Sequence, residues 1–317
     1  MCSSDLVGLT PANDPYQRFA WGEPPAKQGD YAFLLHIIRS LKSTGKGACI
    51  LPHGVLFRGN AEAVIREQLV RSGYLKAIIG LPANLFFGTG IPACILVLDK
   101  ENASARKGIF MIDAAKGFIK DGPKNRLRDQ DVHKIVDTFL RLDESDPRYA
   151  RMVTFDEISD PKNDFNLNLP RYIDSTEPED IQDIDGHLRG GIPERDIDAF
   201  DSYWQVMPAL RAALFKPASH PGYFELVSPE VKSVIFGHPQ FNAFKAGVDK
   251  LFNQWLADST PQLKSFAVNS HPKELIATLS EDLLIAFAKA PLLDHYDIYQ
   301  HLMDYWAETM QDDCYLI

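Results

Sequence analysis

The spacing of apolar positions changes repeatedly along this chain, and each change marks an element. Phe33, Leu34, Ile37, Ile38 and Leu41 recur at helical spacing, with Asp30 placed as the N-cap. Ser43, Thr44, Gly45, Lys46 and Gly47 end that helix. Residues 48–52, ACILP, form a short apolar run between turn signals, which predicts a buried strand. Asn60 stands at the cap of a second helix, whose apolar face holds Ile65, Leu69 and Val70. Residues 74–81 and 93–98 read as two further buried strands.

Helix, strand, helix, strand points to a parallel α/β sheet. The last two strands break that pattern. Only the loop from Pro82 to Pro92 separates them, whereas a parallel crossover takes a dozen or more residues and usually a helix. The strand at 93–98 is therefore expected to run antiparallel. Residues 109–112 add a short strand, and residues 129–142 a helix with Val132, Ile135, Val136 and Leu140 on one face. Residues 1–29 are rich in turn formers (Pro11, Pro15, Gly22, Pro24, Pro25, Gly29) and read as irregular. After residue 173 the composition shifts. Residues 174–195 are acidic and loop-like, and the remainder reads as helices with aromatic faces. These include 197–215, 230–256 and a last helix at 296–310, set off from earlier helices by residues 289–293. There is no internal repeat and no low-complexity tract.

Composition narrows the function classes. The 317 residues are 45% hydrophobic and 24% charged, as in a soluble globular protein of two ordinary domains. No apolar run approaches the roughly 20 residues that span a bilayer, and the first residues lack the pattern of a signal peptide. The four cysteines, Cys2, Cys49, Cys94 and Cys314, form no CxxC pair, and two sit inside strand-like runs as small hydrophobes. A reducing cytoplasm is the expected setting. Thirty-three basic against 43 acidic residues give a net charge of −10, so the chain is not expected to bind DNA tightly alone.

Three stretches, read in order, carry a resemblance: residues 29–70 (GDYAFLLHIIRSLKSTGKGACILPHGVLFRGNAEAVIREQLV), residues 81–100 (LPANLFFGTGIPACILVLDK) and residues 165–174 (FNLNLPRYID). Together they resemble the methylation (M) subunit of type I restriction-modification systems, within the N6-adenine DNA methyltransferases. The resemblance implies an α/β fold: the C-terminal half of a class I S-adenosylmethionine-dependent (Rossmann-like) methyltransferase sheet with a reversed last strand, followed by a mainly helical region. Residues 1–173 would be the truncated methyltransferase domain, closed by FNLNLPRYI, and residues 174–317 a subunit-assembly region. The implied activity is methyl transfer from S-adenosyl-L-methionine to adenine N6 in DNA. The implied partners are DNA, reached through the complex, a specificity (S) subunit that reads the target, and a restriction (R) subunit, with no membrane.

The family's polar-Pro-Pro-aromatic loop, which holds the flipped adenine, is not matched here. Asp14-Pro15-Tyr16 lacks one proline, and Glu23-Pro24-Pro25-Ala26 has the wrong first and last residues; both read as proline turns. Residues 8–15, GLTPANDP, resemble the segment that follows that loop. The glycine-rich turn that seats the cofactor, and its acidic partner, are also unmatched; Gly88-Thr89-Gly90 leads into a strand rather than a helix. The chain thus resembles a fragment, cut at both ends and inactive alone. A non-catalytic assembly module for the specificity subunit is the alternative, and a methyltransferase acting on protein or RNA a third reading.

By position in the family pattern, Phe86 corresponds to the aromatic that stacks on the extruded adenine, with Phe87 as the fallback. Phe33 corresponds to an apolar residue near the cofactor's adenine ring. Each also has a plain reading: a core phenylalanine at a strand end for Phe86, and core packing beside Ile37 for Phe33. Pro52 and His53 end a strand at the edge where α/β ligands bind, and His53 reads as structural or solvent-facing. Lys116, Lys120, Lys124, Arg126 and Arg128 form a basic cluster, either a solvated loop or a phosphate contact. The histidines show no metal-ligand spacing, and no G-x-S-x-G turn supports serine catalysis.

Overall fold

Regular structure in the chain, seen in a computed structural model that describes residues 11–176 and 181–316, begins with a single 3-10 turn at Pro11–Asn13 and then helix α1, Asp30–Ser40. Cys2 and the Gly8-Leu9-Thr10 stretch of the first proline-rich segment lie outside the described residues. Gly29, not Asp30, occupies the cap position, and no side chain caps it. Asp30 instead pairs with Arg58 at 2.8 Å. The buried face of α1 is Tyr31, Ala32, Leu34, Leu35 and Ile38. Phe33, expected beside them, is 56% exposed.

Strand β1, Lys46–Pro52, follows, then α2, Ala61–Arg71. Asn60 holds the cap position of α2 with a positive φ of 55°, but its side chain makes no capping bond. Ile65, Leu69 and Val70 are buried as predicted. Next come β2 (Leu75–Gly80), β3 (Ala93–Asp99) and β4 (Gly108–Asp113). A small hairpin of β5 (Ile119–Asp121) and β6 (Lys124–Arg126), helix α3 (Asp129–Arg141), β7 (Ala150–Thr154) and the short α4 (Phe155–Ser159) complete this part. The hairpin and β7 are too short or too polar to stand out in the periodicity.

The main sheet has the order β1-β3-β2-β4-β7. Strand β3 is antiparallel to both β1 and β2, β2 is parallel to β4, and β7 is antiparallel to β4. The reversed strand predicted from loop length is β3, wedged between two strands that share one direction. Strand β1 corrects the expectation of burial: among the described residues it lies at the sheet margin with β3 as its one neighbour, and Ile50 is 55% exposed. The sheet buries a large cluster on one face, with Leu34, Ile38, Ile65, Leu69, Ile78, Leu96, Leu98 and Met111. The other face buries a smaller one, with Ala77, Ile79, Phe110, Ile112 and Ile135. Of the four apolar residues predicted to line α3, only Ile135 is buried; Val132, Val136 and Leu140 face solvent.

The chain divides into two compact units, Met1–Glu177 and Pro178–Ile317. In the second, α5 (Ile184–Arg189) and β8 (Ile192–Pro193) lie within the stretch read as loop-like, and α6 (Glu194–Asp198), α7 (Asp201–Val206) and α8 (Pro208–Leu214) replace the single helix predicted over 197–215. Pro208 opens a new helix because it has no N–H to continue the old one. Strands β9 (Phe215–Pro217) and β10 (Tyr223–Leu226) join β8 in a small sheet of order β8-β10-β9, which the aromatic pattern did not suggest. Pro239 likewise splits the helix predicted over 230–256 into α9 (Val231–Gly237) and α10 (Pro239–Lys264). Helices α11 (Pro272–Phe287) and α12 (His295–Tyr305) follow. A wide π-type turn at Trp306–Met310 then leads into α13 (Gln311–Leu316). Trp255, Leu279, Leu283 and Phe287 anchor the largest cluster of this unit.

Candidate functional site

Three strands running the same way, β1, β2 and β4, end on one edge of the main sheet, and their following loops gather there. In open α/β sheets that carboxyl edge is where ligands bind. A 3-10 turn, His53–Leu56, follows β1. Tyr31 in the first turn of α1 donates its hydroxyl to the Val55 carbonyl at 2.8 Å. After β2 comes the loop that carries Phe86 and Phe87. Its base is closed by Leu81 N–H donating to Ala93 O at 2.9 Å. His53 N–H donates to Pro92 O at 3.0 Å, which ties the end of β1 to the same loop.

The loop turns on Asn84 (φ 57°) and Gly88 (φ 75°). Gly88 supplies a left-handed backbone without strain. The rings that result are not core: Phe86 is 39% exposed and Phe87 94%. The plain reading of Phe86 as a strand-end core residue is thereby overturned, and so is that of Phe33 as core packing. All three candidate aromatics reach solvent, Phe86 and Phe87 in one loop at the carboxyl edge and Phe33 on α1.

The floor of this edge is held by charge and close packing. Arg66, almost wholly buried, donates to the Phe165 carbonyl at 2.8 Å and to the Arg58 carbonyl at 2.7 Å. It thereby joins α2 to the segment that closes the unit. Arg58 bridges Asp30 at 2.8 Å and the buried Glu62 at 3.2 Å. Burial pushes the Glu62 carboxyl above its ordinary value, against the pull of Arg58. At the end of β2, Gly80 lies under Leu169; a Cβ there would fall 2.4 Å from Leu169 Cδ1. Asp113, after β4, accepts from Ser175 Oγ at 2.7 Å. His53 is half-buried and meets Phe57 edge-on at 6.2 Å. Burial lowers its imidazole from the ordinary value, with Asp113 opposing.

The basic cluster is largely consumed internally. Lys124 donates to the Phe86 carbonyl at 2.6 Å and to the Thr89 carbonyl at 3.3 Å. Arg128 binds Asp131 through Nε at 3.0 Å and Nη2 at 2.8 Å. Arg126 pairs with Asp121 at 3.4 Å, Lys120 lies over the Phe118 ring, and Lys116 donates to the Ser175 carbonyl. Periodicity missed Asn125 altogether, because a lone asparagine in a polar loop gives no signal. Its amide donates to the Ala83 carbonyl at 2.7 Å.

Among the described residues, no group of three or more His, Cys, Asp or Glu side chains is placed to hold a metal. No helix there is long and apolar enough to cross a membrane. For S-adenosylmethionine the chain offers an exposed aromatic face at Phe33 on α1. The sequence supplies neither a glycine-rich strand-to-helix turn nor a matching acidic partner, so these residues do not form a complete cofactor site.

A model of the family described as N-6 DNA Methylase matches residues 9–181. The type I restriction enzyme MpnII methylase subunit of Mycoplasma pneumoniae is 34% identical over 160 residues, covering 50% of this chain and 29% of that protein. The HindI methylase subunit of Haemophilus influenzae is 34% identical over 177 residues, covering 53% and 39%. This chain spans about a third of the length of these curated relatives. Among solved structures, the type I restriction-modification methyltransferase subunit from Streptococcus thermophilus aligns with a TM-score of 0.46 at 41% identity. That alignment covers 51% of this chain and 34% of the other.

Proposed function

This chain belongs to the N-6 DNA methylase family, and we propose that it supplies the base-facing wall of a type I restriction-modification methylation subunit. The reaction is methyl transfer from S-adenosyl-L-methionine to adenine N6 in DNA. The observation that carries this reading is the pair of exposed phenylalanines, Phe86 and Phe87, on a hydrogen-bonded loop at the carboxyl edge of the sheet. Adenine N6 is a weak nucleophile inside a base pair, and an enzyme that methylates it takes the base out of the stack. An aromatic face stabilises such a base by about 1–3 kcal/mol. Phe86, half-exposed and anchored through its own carbonyl, is the residue assigned to that face.

The remaining chemistry lies with groups that these 317 residues do not carry: the cofactor turn and the polar-Pro-Pro-aromatic loop. By itself the chain is therefore expected to be inactive. Target recognition is assigned to a specificity subunit, and cleavage to a restriction subunit, in a cytoplasmic complex. Residues 1–173 serve the methyltransferase domain and residues 174–317 subunit assembly.

The test is to join this chain with segments that supply the missing turn and loop, and to follow labelled methyl transfer to DNA. Phe86→Ala is expected to slow transfer by roughly 5- to 100-fold, the range that a lost stack of this size implies, while cofactor affinity stays within a factor of about two. Normal transfer by Phe86→Ala with a slow Phe87→Ala would reassign the stack to Phe87. Normal transfer by both would sink the reading. An assembly that binds the specificity subunit yet never methylates would leave only the assembly role.

A further inference from the structure

The β5–β6 hairpin poses a question that the main sheet does not answer. It is a two-stranded piece, both strands short, with β5 exposed along its length. Such hairpins are marginal on their own. Among the described residues, two adjacent residues of the hairpin donate four hydrogen bonds to the Phe86 loop. Lys124 Nζ donates to Phe86 O at 2.6 Å and Thr89 O at 3.3 Å, so it closes both sides of the turn at Gly88. Asn125 N–H donates to Asn84 O at 3.0 Å, and Asn125 Nδ2 donates to Ala83 O at 2.7 Å. Asn84 N–H in turn donates to Gly90 O at 3.3 Å across the loop. Asn125 is 6% exposed, and its Oδ1 is buried with no partner.

These contacts are selective. Loop backbone carbonyls that face no strand would ordinarily be left to water. Here four of the bonds that fix the loop come from side chains and backbone about 40 positions later in the chain. A charged donor to carbonyl oxygen is stronger than a neutral one. A buried asparagine amide with an unpartnered oxygen carries a desolvation cost and is expected where orientation of the neighbouring backbone matters more than local stability. The turn it orients carries Phe86 and the almost fully exposed Phe87.

We propose that Lys124 and Asn125 are positioning residues: through the β5–β6 hairpin they clasp the Phe86–Gly90 turn and hold the Phe86 ring in the pose that receives the adenine. This rests on the reading of Phe86 as the stacking residue. Lys124 and Asn125 touch no substrate; they act through the loop.

The first measurement uses the full chain and needs no activity. Backbone amide exchange over residues 85–90 is expected to rise about tenfold in Lys124→Met and in Asn125→Ala, as for the loss of charge-assisted or buried hydrogen bonds. Exchange in β2 and β3 should stay as in the parent. Lys124→Arg, which keeps the charge and the donors, should restore slow exchange. Unchanged exchange in both Lys124→Met and Asn125→Ala overturns the proposal. If Asn125→Ala fails to fold, the Lys124 pair decides alone, since Lys124 is at the surface of the loop.

The second measurement uses the chain in the methylating assembly. Lys124→Met is expected to lower kcat several-fold with little change in the KM for the cofactor, and Phe86→Ala combined with Lys124→Met should be no slower than Phe86→Ala alone. Wild-type transfer by Lys124→Met beside a slow Phe86→Ala refutes the clasp while the function stands. Wild-type transfer by Phe86→Ala, with loop exchange still raised in Lys124→Met, refutes the stacking role and leaves the clasp as a property of the loop.

Discussion

Glu62 is 1% exposed, yet one of its oxygens, Oε2, has no hydrogen-bond partner, and Arg58 reaches it at 3.2 Å. Burial raises its carboxyl above the ordinary glutamate value of 4.5, with Arg58 opposing. A raised carboxyl means that the folded state holds the proton more readily than the unfolded chain. Its favourable contribution is thus complete below the unfolded value and is lost as pH rises through the folded one. Glu62→Gln removes the charge and keeps an acceptor for Arg58. It is expected to raise Tm at pH 7, by about 2–4 °C for each kcal/mol recovered, and to leave Tm unchanged at a pH well below 4.5. Thermal melts of both proteins at the two pH values check this. A lower Tm for the variant at pH 7 would mean that the Arg58 pair outweighs desolvation. The same scale explains the free thiols: Cys94 is buried in β3 and its thiol is pushed up to about 12 by desolvation, so it behaves as a small apolar side chain.

At the scale of elements, the carboxyl edge depends on how the closing segment docks on the end of β2. Leu169 lies over Gly80 so tightly that any Cβ would overlap it, and Tyr172 and Ile173 join the same buried cluster. The glycine serves close approach, not backbone freedom. Gly80→Ala is expected to destabilise the chain by about 1–3 kcal/mol, the usual cost of overpacking, read as a lower urea midpoint. Leu169→Ala leaves a cavity alone, but in the Gly80→Ala background it also relieves the clash. The two changes should therefore be non-additive, the double variant being more stable than the sum of the singles predicts. Additive losses would show that the segment shifts freely away from β2. Both outcomes bear on the site, since the neighbouring Asp113 and the Phe86 loop share that edge.

At the scale of the whole molecule, the second unit differs from the first in how little its helices bury. Helix α10 runs for 26 residues with only Trp255 and Ser259 buried. Trp255, Tyr296, Tyr299 and Trp306 are core, whereas Tyr203, Phe252 and Tyr305 are exposed. Exposed aromatics on long helices are the kind of side chain that anchors interfaces. The net charge of −10 argues against strong DNA affinity of this chain by itself. If the second unit serves assembly, full chain carrying Phe252→Ser and Tyr305→Ser should keep its melting temperature within about 2 °C, as surface changes do. It should nonetheless lose co-purification with a cognate specificity subunit. Undiminished co-purification would move the docking role away from these aromatics. Calorimetry of the unaltered chain with S-adenosylmethionine gives a complementary check: micromolar binding would contradict the expectation that the cofactor's seat lies in segments not carried here.

Local pattern determined a good deal of this protein. The period of the apolar residues placed α1, α2, β2 and β3. The length of the loop between residues 82 and 92 was enough to reverse β3, because chain reach alone forbids a parallel crossover there. The family resemblance singled out Phe86, Phe87 and Phe33 as candidates, and all three are exposed. Tertiary structure decided what periodicity does not encode. Whether an apolar run is central or marginal depends on its neighbours: β1 reads as buried, yet Ile50 is exposed, because among the described residues β1 has a partner strand on one side only. The same is true of Phe33, which shares its helix but not the buried face of Leu34 and Ile38, and of the apolar flank of α3. The proline breaks at 208 and 239 were visible in the chain, but the three-stranded sheet between the broken helices was not, since strands of two to four residues carry too few positions to show a period. The clasp on the Phe86 loop was furthest from view. It joins residues 38 and 42 positions apart through backbone carbonyls, and hydrogen bonds to carbonyls leave no trace in the identity of the residue that accepts them.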